Sequence, residues 1–65
     1  MNSIAQFRTI DDVRYRLIHD DHYEQTRIDA ALILTEGLSL LKQYEMAKSF
    51  LSQVKYEQEQ FIKNY

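Results

Sequence analysis

His19 and His22 enclose Asp20 and Asp21, and no other stretch of the chain gathers so many groups able to bind metal or move protons. Imidazole and carboxylate are ligand types for zinc and related ions. Two histidines three positions apart supply half a site, and the sequence fixes no third ligand beside them. A metal-binding module at His19/His22 therefore stands as an alternative, and the leading expectation is no metal. In the plainer reading, the stretch is a polar junction whose carboxylates cap the following helix. Catalysis finds less support. The chain has no cysteine nucleophile and no glycine-rich phosphate loop. Asp11/Asp12 and Asp20/Asp21 are sequence neighbours, and neighbours on a helix do not face one another. Ser49 and Ser52 fall on the polar side of a helical pattern. The expectation is a protein that is not an enzyme, with no catalytic residues and no cofactor.

The arginines, Arg8, Arg14, Arg16 and Arg27, all lie in the first half; the lysines, Lys42, Lys48, Lys55 and Lys63, all lie in the second. Arginine makes planar bidentate contacts that lysine cannot. Arg8, Arg14 and Arg16, with Tyr15 interleaved, are therefore candidate partner contacts. A base could stack on Tyr15 while the arginines take phosphates, which makes a nucleic-acid-binding regulator a second alternative. The formal net charge of −2 does not favour it, because nucleic-acid binding normally leaves a basic footprint. Asp11, Asp12, Asp20, Asp21, Glu24 and Asp29 offer these arginines local partners.

Three helices must position these groups. Thr9 can cap a helix whose first turn carries Asp11 and Asp12, where the helix dipole favours negative charge; this helix is expected at about residues 10–19. Ile10, Val13 and Leu17 share its apolar face. Asp21 followed by Glu24 suggests a second start, with a helix at about 22–36. Its apolar residues, Tyr23, Ile28 and the run Ala30–Leu34, cover more than half the circumference, so it is expected as the central layer, buried on more than one side. Arg27 falls among them and must either pair with a carboxylate from another helix or run its stem along the core and leave its head in water. Gly37, the only glycine, predicts a left-handed turn ending this helix, with Ser39 capping the next. The rival is a helix running on through Gly37 to a turn near Lys42-Gln43. Ser3-Ile4-Ala5-Gln6 also has the form of a capping box, although residues 1–8 are expected to be frayed.

The third helix, at about 40–63, is the longest and organises the rest. Leu40, Tyr44, Ala47, Leu51, Val54, Gln58, Phe61 and Tyr65 form one seam in heptad spacing, widened by Phe50 and Ile62. Leu34 to Val54 would suit one helix pair of a repeat array, but such arrays need about three stacked units, and the chain holds no second copy. The fold class is all-α, a small three-helix domain with a long C-terminal helix. A chain of 65 residues is marginal alone. With no cysteine to form disulfides, oligomerisation is the staple left open. The expected interface is Leu51, Val54, Tyr56, Gln58, Phe61, Ile62 and Tyr65, in a homodimer. Gln58 would set register at that seam, and Tyr56 is an interface-type residue on the polar face. No apolar run approaches the roughly 18–20 residues of a membrane span, and Met1-Asn2-Ser3-Ile4 has no signal-peptide character. A cytoplasmic regulatory or adaptor protein that binds itself, another protein or both is the expectation.

Overall fold

The computed structural model describes residues 7–64 and contains three helices, α1 (Ile10–His19), α2 (Gln25–Leu34) and α3 (Leu40–Asn64). The Ser3–Gln6 capping pattern and Tyr65 lie outside the described residues. Each helix packs on both others. Val13 and Leu17 from α1, Ile28, Ala31 and Leu32 from α2, and Ala47 and Leu51 from α3 form one core. Phe7, Ile10, Ile18, Tyr23, Leu40 and Tyr44 close around it. No helix among the described residues is long and apolar enough to cross a membrane.

α1 begins as its sequence requires. The Thr9 hydroxyl accepts from the Asp12 N–H, and the Asp12 carboxylate accepts from the Thr9 N–H at 3.0 Å. This reciprocal box satisfies amides that the first turn leaves open. The Asp12 carboxylate also accepts from the Arg8 N–H at 2.7 Å. The Arg8 N–H bond, and next the Thr9 one, hold its carboxyl below the ordinary value.

The second helix is shorter at both ends than the expected 22–36. His22 has φ of 61°, a left-handed conformation that breaks a helix. Glu24, in extended backbone, becomes the N-cap, with no side-chain capping bond. Asp21 does not cap α2. At the other end, the Thr35 and Glu36 N–H groups turn back to the Leu32 and Ile33 carbonyls at 3.2 and 3.3 Å, so the helix stops at Leu34. The Leu38 N–H then donates to the Thr35 carbonyl at 3.2 Å, closing a β-turn whose third residue is Gly37 at φ 96°. A positive φ at that place favours glycine. The expected turn at Gly37 is present, one turn of chain after the helix rather than as its immediate ending. Ser39 then accepts from the Lys42 N–H at 3.3 Å, and α3 starts at Leu40.

α2 is not a central layer. Ile28, Ala31, Leu32 and Thr35 face inward, whereas Ile33 and Leu34 are 70% and 73% exposed. Three consecutive residues span about 200° of a helix, so Leu32, Ile33 and Leu34 cannot all enter one core. Each helix touching both others makes a triangle in cross-section, and each keeps an outer face.

Candidate protein-interaction surface

α3 has 25 residues and α2 has 10. At 1.5 Å per residue, α3 is about 37 Å long against about 15 Å for α2. The two run antiparallel. The Gln43 side-chain amide donates to Thr35 Oγ1 at 3.4 Å near one end of the pair, and Tyr23 Oη meets Ser52 Oγ near the other. Beyond that level, Arg27 of α2 still lines hollows with Val54, Lys55 and Gln58, and the rest of α3 projects past them. The seam therefore divides. Ala47 and Leu51 are buried, Leu40 and Tyr44 are half-buried, and Val54 is 43% exposed. Phe61 and Ile62 are each 69% exposed. Of the residues expected at an interface, Leu51 instead belongs to the core of its own chain, packed with α2. Val54, Gln58, Phe61 and Ile62 are brought onto one side of the projecting half-helix. Tyr56 is exposed but lies about 200° around the helix from Val54, so the two cannot face the same helix.

The projecting half-helix continues into a depression between α2 and α3. Arg27, Ala30, Ala31 and Leu34 form one wall; Phe50, Leu51 and Val54 form the other, enclosing about 200 Å³ of almost wholly apolar surroundings. Arg27 stands at the rim. Its Nε lies 3.3 Å from Oε1 of Glu24, the α2 N-cap, and the residue lines the apolar wall, as expected of an arginine that runs along a core and leaves its head in water. A second, more polar hollow adjoins at the α2 N-terminus, lined by His22, Tyr23, Glu24, Arg27, Leu51, Val54, Lys55 and Gln58. Ala30 and Leu34 are the groove residues that sequence reasoning missed; Phe50 already stands at the edge of the expected seam. The unbroken apolar run Ala30–Leu34 carried the signal, because a run of that length must put side chains outside as well as inside.

The arginine candidates divide differently. Arg8, Tyr15 and Arg16 meet at a shallow hollow with Phe7, Asp12 and Asp20. Arg16 Nε contacts Asp20 Oδ2 at 2.8 Å, and its guanidinium sits 5.4 Å from the Phe7 ring centre. Arg14 leaves this group. It bridges Asp11 and, at 2.9 Å, Asp29 of α2, fastening α1 to α2. Carboxylates thus hold Arg14 and Arg16 within the fold.

The two histidines separate as well. His19 packs against Tyr15 with ring centres 4.1 Å apart, and His22 sits at the polar hollow beside α2. The described residues bring together no group of three or more His, Cys, Asp or Glu side chains fit to hold a metal. Asp21, between them, is drawn to α3. Its carboxylate accepts from Tyr44 Oη at 3.3 Å and lies 3.5 Å from Lys48 Nζ. The hydrogen bond to Tyr44, and then the nearby Asp21 charge, raise the Lys48 pKa. Asp21 so ties the α1–α2 junction to the long helix, a role its place in a polar run did not disclose. No protein-family model, no curated protein and no solved structure matches the chain.

Proposed function

We propose that this is a small non-enzymatic interaction protein, a regulatory or adaptor type, that self-associates through the projecting half of α3. The carrying observation is the exposure of Phe61 and Ile62 at 69% each, in line with Val54 and the α2–α3 depression. Large apolar side chains left exposed together on a small chain support an interaction site there. Two copies related by a two-fold axis are the commonest closed assembly, and burial in such a dimer supplies the core area that a 65-residue chain lacks. A Cys-free chain suits a reducing compartment such as the cytoplasm.

Light scattering behind size exclusion, on wild type, Phe61→Glu and Ser49→Glu, tests the proposal. Ser49 lies on the far side of α3 from the seam. The expected result is a dimer for wild type and Ser49→Glu and a monomer for Phe61→Glu. A Phe61→Glu protein that elutes with the wild-type mass would overturn the assignment.

A further inference from the structure

The α2–α3 depression is apolar with Arg27 at its rim, and the α3 projection carries exposed Phe61 and Glu57. Phe50, Val54, Glu57 and Phe61 follow one another at spacings of four, three and four, so they share a face of α3. Phe50 and Val54 already line the depression. An apolar cavity of about 150 Å³ takes a benzene molecule, so the about 200 Å³ here accommodates a phenyl ring. Arg27, at the rim, offers five N–H donors, and its contact with Glu24 is a single one at 3.3 Å.

We propose that a second copy of this chain lays its α3 antiparallel along this face, seats its Phe61 in the depression and brings its Glu57 to Arg27, each copy doing the same to the other. The inference rests on the self-association proposed above and specifies its geometry. A two-fold axis crossing α3 between Lys55 and Tyr56 sets Phe61 of one chain at the level of Phe50 in the other and Glu57 at the level of Val54. Because α2 runs antiparallel to α3, Arg27 lines the end of the depression nearest Val54, and its long side chain can reach toward the partner's Glu57. Both depressions are filled, both projections are covered, and the assembly closes. The two Glu57 carboxylates approach near the axis, where the two Arg27 guanidiniums neutralise them. A parallel seam would set Phe61 on Phe61 and Glu57 on Glu57 and leave both depressions empty.

The native chain has no cysteine, so single thiols report the geometry. Ala30→Cys and Phe61→Cys proteins are oxidised gently, each alone and as an equal mixture. Disulfides need Cα atoms within about 7 Å. The mixture should form covalent dimer at least roughly tenfold faster than either protein alone, since docking raises the thiols' effective concentration. Faster cross-linking of Phe61→Cys with itself would identify a parallel seam and overturn the proposal. A charge exchange guards against loss of the aromatic anchor. Arg27→Glu and Glu57→Arg should each weaken association, and the double variant should restore it. A double variant no tighter than the weaker single one overturns the pairing. A dimeric wild type that fails these tests removes this geometry alone; a monomeric wild type removes the self-association as well.

Discussion

Asp12 accepts the amides of Arg8 and Thr9, and those bonds are stronger to the ionised carboxylate than to the acid. Its folded pKa lies below 3.8. A depressed carboxyl contributes stability that is fully present above its unfolded pKa and is lost as pH falls through the folded one. Acid unfolding followed by circular dichroism should therefore steepen below about pH 4, and Asp12→Asn should flatten that limb. An unchanged acid limb in Asp12→Asn would dissociate the box from α1 stability. Lys48 has the opposite sign: its raised pKa gives a contribution present below 10.5 and lost as pH rises through the folded value. At Gly37 an added Cβ meets nothing within 4 Å, so the left-handed backbone alone sets the cost. Gly37→Ala should destabilise by about 1–2 kcal/mol, read from a denaturant midpoint; stabilisation would contradict the turn. Thr35 and Gln43 are a buried polar pair. Thr35→Val strands the Gln43 amide and should cost about 1–3 kcal/mol. Thr9 and Gly37 were legible because their chemistry is local. The Thr35–Gln43 pair was not, because hydrogen bonding across a helix turn depends on the crossing that tertiary packing sets.

At the scale of elements, α1 and α3 follow from periodicity and caps, and the expected bounds of about 10–19 and 40–63 lie close to Ile10–His19 and Leu40–Asn64. α2 resisted for a physical reason. Its run of apolar residues shows no preferred face, so neither its phase nor its ends could be read from period. His22 in a left-handed conformation carries no signature that separates it from a first helical turn. The inward face is set by Ile28, Ala31 and Leu32 meeting Leu17, Ala47 and Leu51 in one core. Leu32→Ala should cost about 2–4 kcal/mol through lost transfer energy and a residual cavity, while Ile33→Ala, at an exposed site, should cost far less. Equal effects in chemical denaturation would mean that α2 is rotated from the orientation described.

At the scale of the molecule, the principal extents are 42 × 27 × 16 Å, and the longest dimension follows from α3 outrunning its two short partners. The sequence makes this visible by simple length, since the expected helices at about 10–19 and 22–36 cannot shield one at about 40–63, and the observed α2 is shorter still at 10 residues. It hides the α2–α3 depression, which needs Arg27 and Leu34 placed beside Phe50 and Val54. In the proposed dimer, that juxtaposition is the receptor for the stripe's own aromatic end. Sedimentation equilibrium of the wild-type protein over a wide concentration range measures the central claim directly. Self-association predicts a weight-average mass that climbs with concentration toward twice 7.8 kDa. A mass that stays at the single-chain value up to about 100 µM, where mass action would populate a dimer of low-micromolar Kd, would contradict it.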